Sequence, residues 1–162
     1  TMPTTLTPRV ALDPILREAL FFTGDARITV QGKPDQTGNR SHFTFAMGSP
    51  EHPTSQSPLF VRVLTGADTF SFLGTVFQAR ANEGLPKLGI WRHGQRSSVG
   101  PDAPCAKAAA WLFGAARGLL HEDLIVLAAR PCSAPGCRIE LTNPESIARG
   151  MGPVCAKKHG LL

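Results

Sequence analysis

The sequence contains no run of about 18 or more apolar residues, so we expect no membrane-spanning helix. The first nine residues are polar and rich in threonine and proline, without the apolar stretch of a secretory signal. We therefore expect a cytoplasmic protein with no membrane partner. Tyrosine is absent although phenylalanine occurs nine times, and nothing in the sequence explains that bias.

The sequence also lacks the residue patterns of common enzymes. The glycines between positions 94 and 100 do not have phosphate-loop spacing, and the segment 121–123 lacks the paired histidines of a helical metal hydrolase site and favours helix capping. Cys105 lies in the first turn of a predicted helix, where a thiol pKa falls, and His93 is available as a base. Small packing residues surround Cys105, however, and no third group orients the pair. We therefore do not expect an enzyme.

The chain is modestly basic, with a net charge of +5 and a pI of about 9.4. Residues 130–162 carry five basic residues against two acidic ones, so this short segment holds more than half of the excess charge. Such a charge permits contact with nucleic acid or with an acidic protein but requires neither.

Alternating apolar and polar residues predict an antiparallel sheet. The predicted strands cover 27–31, 42–47, 59–64, 69–78 and 87–92, and the turn at 65–68 makes the third and fourth a hairpin. The apolar segment 123–128 is either a last strand or the end of a helix.

Two helices are predicted before the cysteine-rich end of the chain. Asp13-Pro14 favours the start of a short helix over 15–22, and Asp102 favours the start of the longest helix, which runs to about Leu119. The alanines of the longer helix favour close packing on the sheet. We therefore predict an α+β fold, an antiparallel sheet packed by a long helix, with a main domain over 11–129 and a small C-terminal zinc-binding module over 130–162.

Three of the four cysteines lie near the end of the sequence, and they predict a metal site. Cys132 and Cys137 are separated by four residues, and Cys155 is followed by His159 at a spacing that one helical turn provides. In a cytosolic protein such a cluster favours metal binding over disulfides. Zinc takes four such ligands in a tetrahedron, so we predict a closed, structural zinc site formed by these four residues.

The fourth ligand is the least constrained of the set. His159 lies close to the C-terminus and a solvent-exposed role competes with ligation; His121, Cys105 and a water are the alternatives. For the three cysteines the alternative is that they are free thiols. Between the ligand pairs, Asn143 favours the start and Gly150 the end of a short helix.

The segment from Cys137 to Cys155 resembles an uncharacterised zinc-ribbon-like family of phage and actinobacterial proteins with the pattern C-x-x-C-G-R-x-L-x-x-P-E-S-x-x-x-G-x-G-P-x-C. The matching residues are Cys137, Leu141, Pro144, Glu145, Ser146, Gly150, Gly152, Pro153 and Cys155. This chain departs from the pattern in having four residues between its first two cysteines and Arg138 directly after Cys137. Upstream stretches are also similar, so that the resemblance covers roughly residues 40–160. It implies zinc binding and no particular activity.

Basic and aromatic residues form a second candidate site. Phe43 with Phe45, and Phe70 with Phe72, alternate along predicted strands, so each pair lies on one face; they are either the core or a platform for bases. The candidate nucleic-acid-binding residues are Arg62, Arg92, Arg96, Lys157 and Lys158.

These features lead to two hypotheses for the function. The first is a non-enzymatic, zinc-containing protein that binds nucleic acid, DNA or RNA, of phage type or with an accessory role. The second is a protein-interaction module, such as a phage-type inhibitor or assembly factor, in which the zinc site stabilises a binding surface.

Overall fold

A computed structural model of the protein describes residues 5–6, 26–49, 57–66, 69–79, 88–115 and 125–162. The strands are β1 (Thr5–Leu6), β2 (Arg27–Pro34), β3 (Arg40–Gly48), β4 (Leu59–Leu64), β5 (Phe70–Ala79), β6 (Leu88–His93), β7 (Ile125–Ala128), β8 (Arg130–Pro131) and β9 (Glu140–Leu141). The helices are α1 (Pro104–Ala115), α2 (Pro144–Arg149) and α3 (Pro153–Lys158). The helix predicted over 15–22 and the histidine at 121 lie outside the described residues.

One antiparallel sheet forms most of the structure. Its strand order is β1-β7-β2-β3-β4-β5-β6, so β2 to β6 form a meander and β7 returns to pair with β2. The strands predicted at 27–31, 42–47, 59–64, 69–78 and 87–92 are all present within one or two residues, apart from the longer β2. The ambiguous segment 123–128 contributes a strand, β7.

The predicted fold class is wrong. The structure is a mostly antiparallel β fold, a sheet curled into a half-barrel with only short helices, and not a sheet packed by a long helix. The described helix α1 has 12 residues, where the sequence predicted one from 102 to about 119. Residues 116–119 of that predicted helix lie outside the described residues, so the difference lies in the sheet, which curls around α1 instead of lying flat beneath a long helix.

The inner face of the sheet holds the main core. Its fully buried members include Phe45 and Leu73 from the sheet and Leu112 and Phe113 from α1. A register shift between Val61 and Arg62 opposite β5 marks a bulge, which bends a strand and increases its twist. The short helix α1 therefore packs on the inside of a sheet that already curves towards it.

The outer face of the sheet is divided into two halves. Residues 130–162, which we call the cysteine module, pack on the half formed by β7, β2 and β3. There the Thr29 hydroxyl donates to the Thr142 carbonyl (2.7 Å) and bonds the Thr44 hydroxyl (2.8 Å). Arg27 forms an ion pair with Glu140 at 3.2 Å. The half formed by β4, β5 and β6 carries exposed side chains.

Candidate metal centre and nucleic-acid interface

The three cysteines of the module meet at one point. Cys132 follows β8, Cys137 follows a tight turn in which Gly136 has φ 78°, and Cys155 lies in α3. A positive φ favours glycine, so Gly136 allows the chain to make this turn. Their three Sγ atoms lie within 4.8 Å of one another. Such a triad can hold a metal ion.

Backbone hydrogen bonds favour the thiolate form of Cys132 within this cluster. The N–H groups of Ala134 and Gly152 donate to the Cys132 sulfur and lower the pKa of that thiol. The Cys155 thiol behaves differently. Its hydrogen bond with Cys137, together with burial, raises the pKa of Cys155 to about 11. Several thiolates repel one another at this spacing, and a bound cation removes that repulsion, so the donor set fits a divalent metal.

A small second core supports the cysteines. Leu141 and Ile147 are buried beside Cys132 and Ala134, and Leu127 reaches this core from the outer face of β7. The helix α2 that carries Ile147 begins and ends as the sequence predicts. The Asn143 side chain accepts from the backbone N–H of Glu145 at 2.9 Å, and Gly150 ends the helix in a left-handed conformation, with φ 84°.

The predicted fourth ligand, His159, lies next to the cluster without joining it. It follows α3 directly, and its backbone N–H donates to the Cys155 carbonyl at 3.0 Å. Its side chain is exposed and lines a groove together with Cys137 and Cys155. Among the described residues, the atoms close enough to share an ion are the three sulfurs alone. Ligation by His159 therefore stays a prediction. Of its alternatives, Cys105 lies in α1, which packs on the inner face.

Two of the predicted nucleic-acid-binding arginines lie on the uncovered half of the outer face. Arg62 on β4 pairs with Phe72, and Arg92 on β6 pairs with Thr75, so both arginines flank β5 and both are exposed. Arg96, also exposed, follows β6 in the loop, where it lines a groove of 550 Å³.

The lysines of the predicted set lie elsewhere. Lys157 and Lys158 are exposed on the last turn of α3, in the cysteine module. They form a second basic group on the module, separate in the fold from the arginines of β4 and β6.

The phenylalanines divide between core and surface. Phe45 is fully buried and Phe43 packs against the same core, so this pair is core. Phe70 and Phe72 are half-buried on the outer face. The Arg27 guanidinium lies 5.1 Å from the centre of the Phe70 ring.

Sequence reasoning missed the two most exposed rings of this face, Phe60 and Phe77, each 39% exposed. Phe60 packs edge-to-face on Phe72, with centroids 6.5 Å apart, and the Arg92 guanidinium lies 5.7 Å from the centre of the Phe77 ring. A signal was present: in β4, the alternation that buries Leu59 places Phe60 on the opposite face, beside Arg62.

No described helix is long and apolar enough to cross a membrane. Among known proteins, no curated protein and no solved structure matches this chain. The family model of DUF6011, a family of unknown function, matches residues 132–160. That range contains the three clustered cysteines, in agreement with the resemblance to an uncharacterised family with a cysteine module; the phage origin stays a prediction from the motif. What the chain shares with this family is thus its cysteine module.

Proposed function

We propose that this protein binds nucleic acid without catalysis, and that a zinc ion held by the cysteine module has a structural role. The observation that carries the proposal is the outer face of β4, β5 and β6, where exposed Arg62 and Arg92 lie near exposed Phe60 and Phe77. Arginines contact phosphates and exposed rings stack on bases, and the two together are the usual means by which a sheet binds nucleic acid.

The choice of zinc follows from the ligands. Thiolates are soft ligands that select zinc among the common structural metals, and three of them with one imidazole form a closed tetrahedral site. His159, one turn after Cys155 and beside the cluster, is the proposed fourth ligand. A closed site leaves no position for substrate, which agrees with a structural role and not a catalytic one.

The charge of the uncovered half supports an anionic partner. The sequences of β4, β5 and β6 contain no acidic residue. Arg27, at the border with the module, is already paired with Glu140. Arg62, Arg92 and Arg96 are therefore the arginines of this half that we assign to phosphates, and Lys157 and Lys158 form a separate basic group on the module.

Salt dependence of oligonucleotide binding tests the proposal. Fluorescence anisotropy is measured between about 50 and 200 mM salt, where each phosphate contact contributes about 0.7 to 0.9 to the slope of log affinity against log salt. Changing Arg62, Arg92 and Arg96 together to Ala should lower the affinity for all sequences and reduce the slope by about two to three. Changing exposed Lys107 of α1 to Ala is the matched control and should change neither. Absence of binding by the wild type at low salt would refute the proposal.

A protein-interaction module is the second candidate function. Beside the cysteine cluster, Ile139 and Val154 are 71% and 70% exposed and line a cleft with Leu141 and Pro153. Exposed apolar groups around a cleft are typical of protein-binding surfaces. If oligonucleotides do not bind, a partner retained on the protein after nuclease treatment, and lost on changing Ile139 and Val154 to Ser, would support this second function.

A further inference from the structure

We infer that the nucleic acid bound by the outer face is single-stranded, with bases stacked on Phe60 and Phe77. The inference rests on the proposed function and specifies its substrate class. It is carried by the geometry of the two rings and by their arginine neighbours.

Both rings are placed to receive a flat partner. Phe60 lies opposite Thr75 in the register, and Phe77 is two positions further along β5, so the two rings are diagonal neighbours. Diagonal neighbours on one face of a sheet are about 7–8 Å apart, within the reach of aromatic side chains. Each ring is 39% exposed, and contact with Phe72 orients Phe60.

The arginines add both charge and planar surface. Arg92 lies over one face of Phe77, with its guanidinium 5.7 Å from the ring centre, so a base can stack on the opposite face of the ring or on the outer plane of the guanidinium. Arg62 lies on the same strand as Phe60, two residues away, and faces outward beside it. Each ring therefore has a cation next to it that can pair with the phosphate of the stacked nucleotide.

The groove after β6 provides the next contact. It is lined by Phe72, Thr75 and Gln95 together with Arg92 and Arg96. An unpaired nucleotide exposes both its base edge and its phosphate. The groove offers hydroxyl and amide groups that can bond the base edge, guanidinium groups that can contact the phosphate, and a ring for stacking.

A duplex fits these features poorly. Its bases are stacked on one another, so the two rings have no base face to contact, and only the arginines can reach its phosphates. Duplex is read in the major groove by an inserted helix or a two-stranded ribbon. The uncovered half is instead a broad sheet surface, and the cysteine module lies beside it. Stacking on Phe60 and Phe77 is therefore available to single strands alone.

One binding assay compares single-stranded with duplex oligonucleotides, and wild-type protein with variants of the two phenylalanines. Fluorescein-labelled oligo-dT and oligo-U separate DNA from RNA as the source of the strand, and the duplex of oligo-dT with oligo-dA is the competitor. Either single strand should bind at least about tenfold more tightly than the duplex. Phe60→Leu and Phe77→Leu should each weaken single-strand binding about fivefold or more, because loss of base stacking has that magnitude.

Controls separate stacking from folding and from charge. Trp111→Leu removes an aromatic side chain that is 45% exposed on α1, away from the face, and should change binding less than twofold. Arg92→Lys keeps the charge and loses the plane, so it should lower the affinity while leaving the salt slope unchanged. Melting temperature and metal content of each variant should match the wild type.

Two results would overturn the inference and leave the proposed function intact: a duplex that binds as tightly as the single strands, or phenylalanine variants that bind normally while the triple arginine variant does not. Failure of every oligonucleotide to bind would instead refute the proposed function itself.

Discussion

Removing the proposed zinc ion should unfold the cysteine module while the sheet stays folded. The buried apolar side chains of the module are few: Leu141 and Ile147, joined by Leu127 from β7, are the large ones. Each contributes about 1.5–3 kcal/mol when buried. A structural zinc ion contributes about 10–16 kcal/mol at neutral pH, more than this small core provides. The metal should therefore decide whether residues 130–162 are ordered.

Hydrogen exchange measures this directly. In the folded module, the Cys132 N–H donates to the Ile139 carbonyl at 2.8 Å and the Ile147 N–H donates to the Asn143 carbonyl at 2.9 Å, so both amides should be protected when the proposed metal is bound. After chelation, or in Cys137→Ser, these amides should exchange at the rate of an unfolded chain. Amides of β4 should keep their protection, because the main core lies on the other face of the sheet.

The chain offers a matched control. Cys105→Ser makes the same chemical change at a half-buried cysteine of α1, which packs against the main core and not against the cluster. This variant should retain one metal ion per chain and full protection of the module. If the module amides stay protected after elemental analysis has shown that the metal is gone, the small core holds the module by itself and our reasoning is wrong.

Three stability predictions follow from other contacts, each measured as the change in unfolding free energy by denaturant titration. Thr29→Val should cost about 1–3 kcal/mol, because the partly buried Thr142 carbonyl loses its shortest donor, and Thr29→Ser, which keeps the hydroxyl, should cost less. Gly150→Ala should cost about 1–2 kcal/mol, because alanine resists the left-handed conformation at φ 84°. Gly74→Ala should cost more than Gly150→Ala, because a Cβ at position 74 would lie 2.4 Å from the Arg92 carbonyl oxygen and 2.5 Å from the Trp91 ring; normal stability of this variant would contradict the close packing of β5 on β6.

The strands were predictable because their signal is local. In β4, alternation between Leu59, Val61 and Val63 on one side and Phe60 and Arg62 on the other repeats the observed burial residue by residue. The module helix α2 was equally readable from its capping residues, and the grouping of three cysteines from their spacing. These features depend on neighbours within a few positions of the chain.

The fold class was not predictable in the same way, because curvature of a sheet is a property of the whole. The alanine-rich segment that begins α1 indicates a helix, but its pattern does not reveal that the sheet opposite is curled and holds α1 on its inner face. Similarly, alternation assigns Phe45 and Phe60 each to one face of a strand. Only the pairing of strands shows that the first face is the core and that half of the second is uncovered.

The hydroxyl link between Thr29, Thr44 and the Thr142 carbonyl has a consequence for transplanting the cysteine module. Residues 130–162 are held on the sheet by four groups from the rest of the chain: two buried hydroxyls, the Leu127 side chain and the Arg27 guanidinium. A recipient protein would have to present the same four groups on adjacent antiparallel strands. Grafting the metal ligands alone would transfer metal binding, but nothing would then fix the orientation of the module on the recipient's sheet.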